Sequence, residues 1–211
     1  MAPLSETRVQ VLIPMAAALN GVIGYVVGNY PLPVPVPLYL DSLGTVLAGL
    51  LAGPLAGALT GVLANVVLAV LNQPNWLLFA FPAAIIGVLA GLAGKRGTIR
   101  LRTPAGLART LAVGLGVGLV AAAISAPIAA FVFGGTTGAV GPDVLVMVFR
   151  ALGNDILTAS YYQSLLSDSI DKVLTFGLVW AALGALSTRL VRRYPNGTRL
   201  LGEATDGNAA A

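Results

Sequence analysis

At 211 residues the chain has room for one domain or two small ones, and 57% apolar residues with only 9% charged ones exclude an ordinary soluble domain. Its mean hydropathy of +0.88 and its 26 glycines belong to a multispanning membrane protein, because so few charges cannot cover a soluble surface of this size. The net charge of +4 does not point to nucleic acid, since the basic residues fall where membrane topology puts them; without cysteine or histidine, disulfides, thiolate chemistry and the commonest metal ligand are also excluded.

Three uncharged runs, 9–40, 42–94 and 110–142, carry the predicted crossings. A helix rising 1.5 Å per residue needs about 20 residues to cross roughly 30 Å of hydrocarbon. The first span runs from Val9 to Gly28 and ends at the proline-rich stretch Asn29 to Pro37. It is full length, so the start of the chain reads as a retained helix and not as a cleaved secretory signal. A second span follows Asp41 and stops at Gly53-Pro54, a tight-turn dipeptide. Leu43 to Ala52 is short for a crossing, so tilt or an earlier start in the proline-rich stretch is expected. The third span covers Leu55 to Leu71 and the fourth Trp76 to Gly94.

A basic segment with no acid follows, holding Lys95, Arg96, Arg100, Arg102 and Arg109. The fifth span runs from Ala108 to Phe133, before the glycine-rich break GGTTGAVGP. The last runs from Val173 to Thr188, with Lys172 and Arg189 snorkelling from its ends and Arg192, Arg193 and Arg199 beyond. Between these two spans, residues 144–172 are too polar for a lipid-exposed crossing, and we expect helices that lie at the outer surface or dip partly in. The expected fold is therefore an all-α membrane protein, a bundle of six transmembrane helices with surface or partly embedded helices before the last. Six crossings put both termini and the basic segment on one face, which the positive-inside tendency makes cytoplasmic. The organisation reads as a short cytoplasmic start (1–8), one transmembrane domain (9–193) and a flexible cytoplasmic tail (194–211) in the cell membrane.

The polar interruptions then gather on the outward face. Pro31, Pro33, Pro35 and Pro37 favour an extended first loop, either a semi-rigid wall or a plain connector. Asp41 is placed to cap the second helix, to hold a polar ligand group, or to pair with Lys172. Asn65 interrupts an apolar helix, so its amide needs a partner in another helix or a ligand. Tyr39, Trp76, Phe79, Tyr161 and Tyr162 suit either a stacked planar ring or an interfacial aromatic belt. Asp168 and Lys172 stand four apart, the spacing of a local ion pair, while Lys172 and Arg150 are also candidate anchors for a phosphate, carboxylate or amide oxygen. The chain has no GxxxxGK[ST] loop and no HExxH, and no enzymatic activity is expected.

The stretch PVPLYLDSLGTVLAGLLAGPLAGALTGVLANVV, from Pro35 to Val67, resembles the substrate-binding S component of energy-coupling factor (ECF) vitamin transporters of the riboflavin- and cobalamin-binding group. SLLSDSIDKVLTFGLVWAAL, from Ser164 to Leu183, looks like that family's approach to its sixth helix. The resemblance implies capture of a micronutrient at the outer face, and partnership with a transmembrane coupling protein and two cytoplasmic ATPases. No intrinsic cofactor is implied, since ATP is used by the partners. Carried onto this sequence, the substrate-facing candidates on the first two loops and third helix are Tyr39, Asp41, Asn65, Asn72 and Trp76. Those in the later segment are Arg150, Asn154, Asp155, Tyr161, Tyr162, Gln163, Asp168 and Lys172. The family's AxxxA docking face on helix 1 is matched in spacing by Ala17 and Gly21, followed by Gly24 and Gly28, with Asn20 as a departure inside it. A corrinoid or a flavin leads the substrate candidates, ahead of another vitamin, a nucleobase or a lipid-linked metabolite. A membrane sensor or assembly subunit without transport, and an independent secondary transporter, are the alternative functions.

Overall fold

A computed structural model describes residues 6–29, 37–71 and 74–203, and every regular element in them is helical. Seven helices build the molecule: α1 (Thr7–Asn29), α2 (Leu43–Ala52), α3 (Pro54–Leu71), α4 (Ala80–Lys95, preceded by the 3-10 turn Pro74–Phe79), α5 (Pro104–Phe133), α6 (Val140–Ala151) and α7 (Ile156–Ala185). Two further helical turns, Thr188–Val191 and Gly197–Leu200, close the described chain. Four stretches are long and apolar enough to cross a membrane: Thr7–Val27, Pro54–Leu71, Pro74–Lys95 and Pro104–Phe133. Their outer faces carry exposed Met15, Val22, Val70, Phe81 and Phe131, the apolar belt of a protein whose surrounding solvent is lipid.

α7 departs from the organisation expected of residues 144–188. Its 30 residues form one continuous helix, so residues 156–172 are not a separate surface segment. The reason is an inverted stripe. Ser160, Gln163, Ser164, Ser167, Asp168, Asp171, Lys172 and Thr175 are buried, while Leu165, Leu166, Ile170, Leu174 and Leu178 are exposed. Polar side chains at spacings of three and four residues turn inward together, which removes the lipid cost that a simple count of polar residues implies. α5 lies along α7, and Gly114 and Gly118 admit the α7 backbone at Lys172 and Asp168, where any Cβ would press on main-chain oxygens.

α2 spans only 10 residues, roughly 15 Å, about half the hydrocarbon thickness. It begins inside the bundle. The connection that reaches it, 37–41, runs down beside α1, so that a Cβ on Gly24 would meet that of Asp41 at 2.9 Å. At the turn into α3, Gly53 adopts φ +102, a conformation open to glycine, with Pro54 starting the next helix.

α2, α4, α7 and the two helical turns that follow α7 meet in one core of Val46, Leu50, Ile86, Phe176, Leu183, Val191 and Leu200. Residues 194–203, expected to begin a flexible tail, belong to this fold: Asn196 donates its Nδ2 to Leu50 O and its backbone N–H to Leu51 O, taking the free carbonyls at the end of α2. Arg102 does the same for α7, donating to Gly184 O at 3.0 Å, Leu186 O at 2.5 Å and Thr188 Oγ1 at 3.0 Å. Arg8 meets the carbonyl of Arg193. The basic residues at both ends of the described chain and between α4 and α5 thus collect at one end of the bundle.

Candidate functional site

Away from that basic end, a cavity of about 70 Å³ opens between α2, α3, α4, α5 and α7. Its polar lining comes from Asp41 and Ser42 at the start of α2, Asn65 on α3, Ser125 on α5, Thr137 after it, and Ser164, Asp168 and Lys172 on α7. Tyr39, Trp76 and Phe79 supply its aromatic wall. Trp76 is fixed by its Nε1, which donates to Thr137 O at 3.2 Å, and Phe79 stacks on Phe133 with ring centroids 5.4 Å apart.

The charged base of the cavity is organised by Asp171, which is completely buried. Its Oδ1 accepts the backbone N–H groups of Tyr39 at 3.0 Å and Leu40 at 2.8 Å, and its Oδ2 lies 2.5 Å from Lys172 Nζ. A buried extended connection needs such acceptors, because its main-chain donors have no helix to satisfy them. Lys172 also faces Asp41 Oδ1 at 3.6 Å. The expected Asp168–Lys172 partnership is therefore replaced by one with Asp171 and Asp41, and Lys172 is not an open anchor for an anion. The four-residue spacing brought Asp168 and Lys172 to one face, but the nearer carboxylates took the ammonium.

Asp41 does not cap α2. Ser42 occupies the N-cap and makes no side-chain cap bond. The acceptor comes from another helix: Asn20 Oδ1 takes Gly44 N–H at 2.6 Å, while Asn20 Nδ2 donates to Thr45 Oγ1 at 2.8 Å. Asn20 is fully buried. Ala17, Gly21 and Gly24 are buried beside it, Gly21 against Val67 and Gly24 against Asp41. This corrects the docking expectation for those three, whose small side chains serve contacts inside the chain; Gly28 ends the same series near the close of α1.

Of the remaining sequence candidates, Tyr39, Asp41, Asn65, Trp76, Asp168 and Lys172 come together around the cavity. Asn65 also bonds within its own helix, Nδ2 donating to Gly61 O at 3.0 Å. Gln163 stands one bond behind the lining, donating to the Tyr39 hydroxyl at 3.1 Å. Arg150, in the last turn of α6, and Asn154 and Asp155, just before α7, are elsewhere. Arg150 donates to Asn154 O, and Asp155 caps α7 by accepting from Leu157 N, Thr158 N and Thr158 Oγ1. Those bonds from Thr158 hold the exposed Asp155 carboxyl below its ordinary pKa. Tyr162 is exposed and packs edge-on against Phe149, and Tyr161, half-buried, does not line the cavity. Asn72 lies outside the described residues.

Four polar cavity groups, Ser42, Ser125, Thr137 and Ser164, lacked a sequence signal strong enough to single them out. Ser42 and Ser164 look like ordinary small residues in apolar runs. Asp171 gave a signal, as part of SDSIDK, but its role depends on a chain segment 131 residues away. Comparison with known proteins finds no matching family model, no matching curated protein and no matching solved structure.

Proposed function

We propose that this protein is a membrane-embedded capture subunit that binds a vitamin-like small molecule at its outward face. It delivers that molecule inward with a separate coupling protein and two ATPases, as the S components of ECF transporters do. The observation that carries the reading is the aromatic and carboxylate-lined cavity away from the basic end of the bundle. Six crossings, counting α2 with its extended lead-in as one and α7 as the last, put both termini and the basic end of the bundle in the cytoplasm, with Arg150 on the outward side. An apolar groove of about 570 Å³ along α1, edged by Arg8 and Tyr194 at the basic end, is the surface we assign to the coupling protein.

The cavity's size bears on the substrate. At about 70 Å³ it is well below the roughly 300–1,000 Å³ of pockets that enclose drug-sized ligands. A compact ligand needs the least rearrangement, whereas a flavin or corrinoid requires the 37–41 connection to move away from α7. Mass spectrometry of small molecules released from gently purified protein tests the capture reading. One molecule recovered in stoichiometric amount is expected; no bound molecule, with no uptake in cells carrying the coupling module, sinks it.

A further inference from the structure

The cavity is unbalanced in charge and in hydrogen bonding, and both imbalances have the same sign. Asp41, Asp168 and Asp171 surround Lys172, and among the described residues no other basic side chain lines the space. Asp171 is fully engaged by two N–H groups and the ammonium. Asp168 is different. It is only 6% exposed, it lines the cavity, and its Oδ2 has no hydrogen-bond partner among the described residues. Ser42 Oγ, 3% exposed and lining the same cavity, is likewise without one.

A buried carboxylate oxygen left without a donor costs free energy. Ser160, Ser167 and Thr175 on α7 also keep buried hydroxyls without a partner among the described residues, but of these orphan groups only Asp168 and Ser42 line the cavity. For the ionised form of Asp168 the completing group is a donor, because a carboxylate only accepts. The aromatic wall adds to this preference: Trp76, Phe79 and Tyr39 present ring faces or edges to the same space, and ring faces attract cations. An anionic ligand meets the opposite field, since the one ammonium is already neutralised by two carboxylates.

We propose that the cavity selects a ligand whose buried end is a hydrogen-bond-donating cation, such as a protonated amine or amidinium, seated on Asp168 and Ser42 beside Trp76. This deepens the capture reading and rests on it. It takes over from Lys172 as anchor and makes Asp168 the residue that decides specificity.

The test is thermal unfolding of the purified full chain in detergent with three probes of one shape: benzylamine, benzyl alcohol and benzoate. Benzylamine at a few-fold excess over its Kd is expected to raise Tm by about 2–4 °C, with smaller or no shifts from the other two. Asp168→Asn is expected to weaken benzylamine about tenfold or more, the loss of a charge-assisted bond, and to level the three probes. Equal or greater stabilisation by benzoate or benzyl alcohol, no stabilisation by any probe, or an undiminished benzylamine shift in Asp168→Asn overturns the proposal. Should Asp168→Asn fail to fold, the order of the probes on the unaltered protein decides. A stoichiometric released molecule that lacks a cationic donor sinks this inference while leaving capture standing, so the two failures are told apart.

Discussion

Asp171 holds Leu40 in place from 131 residues away, its Oδ1 accepting the Leu40 N–H at 2.8 Å where the backbone takes φ +50. That single carboxylate fixes the extended entry to α2, orients Tyr39 and neutralises Lys172. Replacement by leucine leaves two main-chain donors and a buried ammonium poorly matched, a loss we expect at about 3–5 kcal/mol. Asp171→Asn keeps a carbonyl acceptor for the two N–H groups and is expected to lose less. Thermal unfolding in detergent ranks the two, and equal losses would remove the backbone bonds from the explanation.

A second internal tie joins α1 to α2. Asn20→Ala deletes the acceptor of Gly44 N–H and the donor to Thr45, so the start of a half-length helix is left unsatisfied in a dry environment; the expected cost is about 1–3 kcal/mol. Gly44→Ala attacks the same contact sterically, because its Cβ would overlap the carbonyl of Ala16, a backbone group with little freedom to move. Gly116→Ala, on α5 with open space around its added Cβ, is the control and should be neutral or mildly stabilising. A Gly44→Ala protein as stable as Gly116→Ala would mean that α1 and α2 are not held so closely.

These ties mark the boundary of what the sequence made legible. α1, α3, α4 and α5 follow from uncharged apolar runs, since the cost of hydrating or desolvating charge is read residue by residue. Asp41, Asn65, Trp76, Asp168 and Lys172 stood out for the same reason, as polar or amphipathic residues among apolar ones. α7 did not, because a polar stripe seen in one dimension looks like a surface segment, and only packing against α5 shows that it faces inward. Arg150, Asn154 and Asp155 drew attention as polar residues of the right segment, yet local capping accounts for their bonds. In sequence, Asn20 is a departure inside a small-residue spacing and nothing more. Its partners, Gly44 and Thr45, are near in space through a loop whose path no local pattern specifies.

The start of α7 should be sensitive to acid. The Asp155 pKa is lower in the folded chain than in an unfolded one, through bonds from Thr158 above all. A depressed carboxyl contributes stability that is present above the ordinary carboxylate range near pH 4 and lost as pH falls through the lowered value. Amide exchange at Leu157 and Thr158 is the readout. Relative to neighbours further along α7, their protection should fall as the pH drops below the ordinary carboxylate range, and Asp155→Ala should remove that pH dependence. Protection that is flat with pH in the unaltered protein contradicts the cap.

The orientation of the bundle is open to direct labelling because the chain has no cysteine, so each introduced thiol is the only one. Arg96→Cys lies at the basic end and Leu152→Cys, 73% exposed in the original leucine, lies in the turn between α6 and α7. α5 and α7 connect these two ends: Pro104 and Ala185 lie towards the first, Phe133 and Ile156 towards the second. In intact cells a membrane-impermeant maleimide should label Leu152→Cys and spare Arg96→Cys until the membrane is opened. Labelling of both from outside would break the topology. Labelling of Arg96→Cys alone would invert it, and would turn the cavity mouth towards the cytoplasm, where a capture subunit has no substrate to collect.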